Sequence, residues 1–167
     1  MRLTRILVLP FVLALAATCD TALAAEVAVG IVPPAGWTRV DTKDANLLAA
    51  WRDPRAKVLY ANLTLAHDDT AQPIDAYAAA ASKALATSLP GSTPTLSRLT
   101  ICRDQVAYDV TAVGRYSGVR VRIEELVTEI GGKKFIGTYT RPEVAPDASV
   151  AEDALRSICP KTPPDNS

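Results

Sequence analysis

The chain has little of what common catalytic sites require. Its 167 residues include one histidine and three cysteines, and they contain no C-x-x-C pair, no G-x-S-x-G motif and no glycine-rich phosphate loop. A single histidine, His67, argues against Ser-His-Asp or Cys-His catalysis. The missing C-x-x-C spacing argues against a thiol redox site. These absences favour a protein that acts by binding, and no cofactor is predicted.

An excess of positive charge is also missing. Lys and Arg together number 18, Asp and Glu together number 18, and the formal net charge is zero. A nucleic-acid-binding domain usually carries a basic patch, so we expect no nucleic-acid partner. Beyond the N-terminal segment, no stretch reaches the roughly 18 apolar residues of a transmembrane helix, so we expect no stable membrane insertion.

What the sequence does contain is a secretory signal in residues 1–24. Arg2 and Arg5 precede an apolar run broken only by Pro10, and Ala22-Leu23-Ala24 fits an A-x-A cleavage site. We therefore expect a periplasmic or secreted protein. Lipid attachment at Cys19 is the alternative, but Thr18 before it fits a lipid-attachment site poorly.

Cys102 and Cys159 are the two cysteines that remain after cleavage. An exported protein meets an oxidising compartment, where a disulfide between them is stable. The alternative is a reactive thiol or a redox pair, which usually has a closer spacing. We predict a structural disulfide that closes a long loop.

Residues 25–160 are the length of a single domain, followed by a disordered tail over 161–167. Three strands are predicted first, and a helix that opens at Pro73 and runs to about Ser88 follows them. Three longer strands come next, separated by Ser117-Gly118 and Gly131-Gly132, which suit tight hairpin turns. The predicted strands are Thr38–Asp41, Asn46–Asp53, Lys57–Leu65, Gln105–Tyr116, Val119–Ile130 and Lys133–Arg141.

A second helix is predicted near the end of the chain. Ser149 and Glu152 form the S-x-x-E pattern of a capping box, and Pro160 stops the helix, which places Cys159 in its last turn. Its expected buried stripe is Val150, Ala151, Ala154, Leu155 and Ile158. The whole pattern predicts an α+β fold: an antiparallel sheet with a three-strand C-terminal meander, packed by two helices and joined by one disulfide.

This arrangement resembles the PsbP/Mog1/DcrB-like group of small exported accessory proteins. The resemblance covers residues 33–159 and is carried by Pro34-Ala35-Gly36-Trp37, the helix after Pro73, the meander and the closing helix with Leu155. It implies a helper or binding role rather than catalysis, and it brings no set of functional residues. An NTF2-like or cystatin-like roll is the competing fold.

The hairpin turns also predict which side chains share a face of the meander. Arg115 should oppose Arg120, and Arg122 should oppose both Val113 and Arg141, so four arginines gather towards one end of the sheet. One interpretation is a site for an anionic ligand or an acidic partner protein, because guanidinium groups suit carboxylate and phosphate. The other is a solvated face whose arginines are partly paired with Glu124.

Glu125 falls among apolar residues of the opposite face, where a lone buried carboxylate is costly. Either Glu124-Glu125 forms a β-bulge that turns Leu126 inward, or Glu125 belongs to a ligand pocket and has a shifted pKa. The trio His67, Asp68 and Asp69 lacks further spaced ligands, so no metal site is predicted.

The functional hypothesis is an exported accessory protein of the bacterial envelope that binds a protein or a small anionic ligand and is not an enzyme. One alternative is a small hydrolase that uses carboxylates such as Glu124 and Glu125. It needs a cleft that brings two acids together, whereas adjacent residues of a strand point to opposite faces. The other alternative is a ligand-binding domain of the cystatin or NTF2 type.

Overall fold

A computed structural model describes residues 28–55, 61–144 and 148–161. The predicted signal peptide, with Cys19, lies outside the described residues. So do positions 57–60 of the third predicted strand and 162–167 of the predicted tail.

The described residues form nine strands and two helices. In chain order they are β1 (Val29–Gly30), β2 (Thr38–Val40), β3 (Leu47–Arg52), β4 (Asn62–Asp68), α1 (Ile74–Ser88), β5 (Thr95–Ile101), β6 (Gln105–Tyr116), β7 (Val119–Ile130), β8 (Lys133–Pro142), α2 (Ala148–Arg156) and β9 (Cys159–Pro160). Strands β2 to β8 make one seven-stranded sheet in the order β2-β3-β4-β8-β7-β6-β5, and its neighbours pair antiparallel. The predicted α+β fold is confirmed.

The meander β6-β7-β8 has the predicted bounds to within one residue. Ser117 and Gly118 have φ angles of 50° and 82°, and Gly131 and Gly132 have 59° and 81°. Positive φ at both central residues is the conformation of a tight primed turn, which matches the twist of the strands it joins. The predicted register follows, with Arg115 opposite Arg120 and Arg122 opposite Arg141.

Strand β5 was not predicted. It is an edge strand paired with β6, and of its seven residues only Ile101 is buried. Both faces of this edge strand are largely exposed to solvent. Its apolar and polar residues therefore do not alternate clearly, and the sequence lacks the period of two that predicts a strand. Pairing with β6 decides its conformation.

The two helices lie on opposite faces of the seven-stranded sheet. On one face, Leu85 and Leu89 of the α1 segment pack with Val110 and Val121. On the other face, the α2 segment packs on Leu126 and on neighbouring strands through Ala151, Ala154, Leu155 and Ile158. Both faces of the central strands are therefore partly covered, which explains why the apolar residues of β7 do not alternate strictly with polar ones.

The end of the chain differs from the prediction in three respects. Helix α2 begins at Ala148, so Ser149 lies inside the helix and is not its N-cap. Val150, predicted to be buried, is 47% exposed. Cys159 follows the helix and pairs with Gly30 in the short β1–β9 ladder. A residue three positions beyond a helix can still reach the sheet because the backbone there is extended.

The Cys102–Cys159 disulfide is present, with the two Cα atoms 5.7 Å apart. Cys102 occupies the turn between β5 and β6 with a φ of 51°. The bridge therefore connects the edge hairpin of the large sheet to the segment that leaves α2, next to the buried Ile158. It closes a loop that contains β6, β7, β8 and α2.

Candidate functional site: a cleft beside helix α1

Glu125 lies in the middle of β7, on the face of the sheet that α1 covers. Its partners across the ladders are Val110 on β6 and Thr138 on β8, and both ladders pass it without a register shift. The sequence left a β-bulge at Glu124-Glu125 as one of two alternatives, and the continuous ladders exclude it. Because side chains alternate along a strand, Glu124 belongs to the α2 face and Glu125 to the α1 face.

The α1 face opens into a cleft of about 480 Å³, which is lined by residues of α1, β4, β7 and β8. Helix α1 packs mainly on β5, β6 and β7, so its far side borders the part of the sheet formed by β8 and β4. The apolar lining consists of Ala66, Ala80, Ala81, Ala84 and Ile136. Alanine carries a single methyl group, so this helix face leaves space above the sheet. The volume is typical of small-molecule sites.

Glu125 of β7 lines the cleft from the sheet side, as do His67 and Asp68 of β4. Burial raises the pKa of the Glu125 carboxyl group to about 7. Among the described residues, none forms a hydrogen bond or an ion pair with it. A carboxylate is stable in a partly buried position only when a partner or a proton offsets its lost hydration, and the described part of the chain supplies no partner.

A second polar contact joins α1 to β4 at the cleft. The hydroxyl group of Tyr77 donates to Asp68 Oδ2 at 3.0 Å, while Asp68 Oδ1 accepts the backbone N–H of Thr70 at 2.9 Å. Burial, followed by this hydrogen bond, raises the pKa of Tyr77 to about 12. Both oxygens of Asp68 are thus engaged, whereas the carboxylate of Glu125 remains open to a ligand.

The four predicted arginines come together on the α2 face, and most are paired within the protein. Arg120 forms an ion pair with Glu143, and Arg122 forms one with Glu124. Arg115 is exposed and donates to the carbonyl oxygen of Gly118 at the turn. These pairs explain how like charges can be tolerated directly opposite each other in the sheet.

Arg141 is the buried member of the arginine group, with 7% of its surface exposed. Its Nη2 atom lies 3.5 Å from Glu124 Oε1 and 3.9 Å from Glu152 Oε1, and its Nη1 atom donates to the carbonyl oxygen of Glu143 at 2.9 Å. Burial raises the pKa of Glu124, and the bond from Arg122 opposes this increase. The arrangement ties β7, β8 and α2 together.

A small hollow of about 110 Å³ lies beside this network, lined by Arg122, Glu124, Glu152, Arg156 and Asp109 among others. Its lining holds three acidic and two basic residues, so it presents no net positive charge to an anion. The role of the arginine group in binding an anionic ligand or an acidic protein stays a prediction.

His67 and Asp68 lie at the end of β4, whereas the sequence placed them in a loop before the helix. His67 Nδ1 is 3.5 Å from Asp69 Oδ1, and Lys133 Nζ is 3.3 Å from the same oxygen. Within the described ranges, no group of three His, Cys, Asp or Glu side chains is arranged to hold a metal ion.

Sequence reasoning named Glu125 but missed the residues that surround it. Tyr77 was not among the predicted site residues, and Asp68 entered only through the trio with His67 and Asp69, for which no metal site was predicted. The available signal was the series of alanines in α1, since small side chains leave space between a helix and a sheet. Here that space is the cleft above β8 and β4, to one side of the strands on which α1 mainly packs.

No protein-family model matches the chain, and no curated protein sequence matches it. Solved structures do resemble it. The protein PA94 of unknown function from Pseudomonas aeruginosa has a TM-score of 0.59 at 15% identity, over 76% of this chain and 99% of its own. LpqN of Mycobacterium tuberculosis, which is involved in cell envelope biogenesis, has a TM-score of 0.56 at 14% identity, over 78% of this chain and 79% of its own.

A third similar structure, from Bacteroides thetaiotaomicron, has a TM-score of 0.56 at 12% identity. The match covers 80% of this chain and about 45% of the length of the Bacteroides protein. These likenesses show the fold alone.

Neither helix in the described part of the chain has the length and apolar character needed to cross a membrane.

Proposed function

We propose that this chain is an exported accessory protein of the bacterial envelope that acts by binding, and that the cleft beside α1 holds its ligand. One observation carries the choice of site. An open cleft of about 480 Å³ contains a carboxylate, Glu125, that has no partner among the described residues. Sites for small molecules commonly combine an apolar lining with a few such polar groups.

Three observations support the cellular setting. The N-terminal sequence has the pattern of a secretory signal, with a charged start, an apolar run and an A-x-A site. The Cys102–Cys159 disulfide is of the kind that persists in oxidising compartments. The fold is shared with LpqN, an envelope biogenesis protein, and the resemblance to the PsbP/Mog1/DcrB-like group implies a helper role.

The carboxylate geometry favours binding over hydrolysis. The hydrolase alternative needed Glu124 and Glu125 to work as a pair, and these side chains belong to opposite faces of the sheet. Asp68 is the other carboxylate of the cleft, and both its oxygens already accept hydrogen bonds from within the protein. General acid–base catalysis by two carboxyl groups requires both to reach the substrate.

Native mass spectrometry of the protein recovered from its own envelope fraction tests this proposal. Ala84 is an exposed residue of α1 that lines the cleft, so Ala84→Trp fills the space without disturbing the core. Ala79 is an equally exposed residue of the same helix outside the lining, and Ala79→Trp is the matched control.

We expect extra mass to remain bound to the wild type and to Ala79→Trp, and to be lost from Ala84→Trp. A ligand retained equally by all three proteins would move the binding site away from the cleft. A bare protein in all three cases, even after incubation with an envelope extract, would contradict ligand binding altogether.

A further inference from the structure

We propose that the cleft beside α1 binds a small organic ammonium compound, whose apolar part lies against α1 and whose positive charge meets Glu125. This inference rests on the proposed function, which places the ligand in the cleft, and it adds the chemical class of that ligand.

The charged side chains that line the cleft favour a positively charged ligand. Glu125 and Asp68 are the acidic residues of the lining, and no Lys or Arg is among the described side chains that line the cleft. Both carboxylate oxygens of Asp68 already accept a hydrogen bond, one from Tyr77 and one from Thr70. Glu125 is therefore the acidic residue of the lining that has no partner among the described residues. An ion pair formed inside the cleft offsets the lost hydration of this carboxylate, which an uncharged ligand does less well.

The lysines near the cleft already form ion pairs within the protein. Lys134 is 2% exposed and its Nζ atom lies 2.7 Å from Glu129 Oε2, and Lys133 pairs with Asp69 at 3.3 Å. A lysine held in this way does not turn towards Glu125 without leaving its own partner unpaired. Within residues 28–55, 61–144 and 148–161, no lysine or arginine is paired with Glu125, so a bound ligand can supply the cation.

The apolar lining of the cleft suits the uncharged part of the ligand. The side chains of Ala66, Ala81 and Ile136 offer an apolar surface next to the carboxylate. Burial of apolar surface is favourable, so an alkyl or ring portion adds to the attraction of the charge. An anion of the same shape meets repulsion from Glu125, and this difference gives the cleft its selectivity.

The proposal has a pH dependence with a definite sign. Burial raises the pKa of Glu125 to about 7, whereas alkylammonium groups, like the lysine side chain, stay charged to about pH 10. Affinity for an ammonium compound should therefore rise about tenfold or more between pH 5 and pH 8, as Glu125 ionises. The other ionisable groups of this region are Tyr77 on α1, His67 and Asp68 on β4, Lys134 on β8, Glu129 on β7, and the Tyr108–Asp75 pair of β6 and α1.

A titration followed by heteronuclear NMR tests the inference with three probes of one shape. These are n-hexylammonium, n-hexanol and n-hexanoate, each added to the purified protein at pH 5 and at pH 8. We expect hexylammonium at pH 8 to bind most tightly and to shift the signals of cleft residues. Glu125→Gln, which keeps the shape and removes the charge, should weaken hexylammonium binding about tenfold and leave hexanol binding unchanged.

The outcomes separate this inference from the proposed function. If hexanol or hexanoate binds in the cleft as tightly as hexylammonium, or if Glu125→Gln has no effect, the ammonium class is wrong and the cleft remains a ligand site. If no probe shifts cleft residues, or if Ala84→Trp binds all three like Ala79→Trp, both proposals fail. The NMR spectrum of each variant shows directly whether it is folded.

Discussion

Tyr77 of helix α1 and Asp68 of strand β4 are joined by a hydrogen bond of 3.0 Å between the phenol hydroxyl group and Oδ2. The bond connects the helix to the strand that borders the far side of the cleft. Helix α1 otherwise packs mainly on β5, β6 and β7, so this hydrogen bond links it to a strand beyond that packing area. Both residues line the cleft, and the bond between them does not involve Glu125.

Replacing Tyr77 by Phe tests the stabilising role of this contact. We expect the free energy of unfolding to fall by about 1 kcal/mol, since Asp68 loses a donor in a partly buried place. Tyr108→Phe is the matched control, because its hydroxyl group donates to Asp75 at 2.8 Å in an exposed position. Chemical denaturation should show the smaller effect for Tyr108→Phe, and the reverse order would contradict the argument.

Tyr77 should also ionise at an unusually high pH. The pKa of Tyr77 is about 12, as is that of the buried Tyr139, so both ionise later than a free phenol. A raised pKa in the fold means that their contribution to stability is complete below pH 10 and is lost as the pH rises from 10 through 12. Phenolate absorbance should show a late phase, and Tyr77→Phe should reduce its amplitude.

Glu125→Gln should stabilise the protein above neutral pH. Its pKa of about 7 lies above the ordinary value of 4.5, so its effect on stability is most favourable below pH 4.5 and is lost as the pH rises through 7. The variant removes this loss and should gain roughly 3 kcal/mol at pH 8, with little change at pH 4. Denaturation curves at the two pH values check this result. Exposed Asp153→Asn is the control and should show no such difference between them.

Arg141→Ala should destabilise the protein by about 3 kcal/mol, because it leaves Glu124 buried with fewer positive neighbours. Arg115→Ala should change stability by less than about 0.5 kcal/mol, since this exposed side chain contacts only a turn carbonyl oxygen. Thermal unfolding compares the two variants. A retained stability in Arg141→Ala would show that the arginine group is free for another role.

Removal of the disulfide should destabilise the protein by about 4 kcal/mol in the chain-entropy treatment, because the bridge spans 57 positions of the sequence. The double variant Cys102→Ala/Cys159→Ala, compared with the oxidised wild type by urea denaturation, measures this quantity. The reduced wild type serves as a second control and should behave like the double variant. A midpoint unchanged in both would mean that the bridge adds little to the packing of α2.

Gly137→Ala should also be harmful, for a steric reason. A Cβ atom at position 137 would lie 2.8 Å from Leu155 Cδ2 and would also contact Ile158 Cδ1. Both side chains are buried, so α2 would have to shift, at a cost of about 1–3 kcal/mol. Gly30→Ala, whose added Cβ would meet only the side chain of the exposed Lys161, is the control and should be nearly neutral in the same denaturation assay.

Local sequence determined the parts of this fold that depend on local physics. The meander β6-β7-β8 follows from long β-rich runs joined by dipeptides that accept positive φ, and its register follows from those turns. The helix after Pro73 follows from apolar residues at helical spacing. The disulfide follows from there being two cysteines after the predicted signal segment.

Tertiary structure alone decided which faces of the sheet the helices cover, and with that the environment of each charged residue. Glu124 and Glu125 are neighbours in the chain, yet Glu124 meets Arg122 and Arg141 under α2, whereas Glu125 opens into a cleft beside α1. Strand β5 and the position of Cys159 were set in the same way, by long-range pairing. Local pattern contains no information on how far a helix extends across a sheet, because burial depends on segments that are distant in the chain.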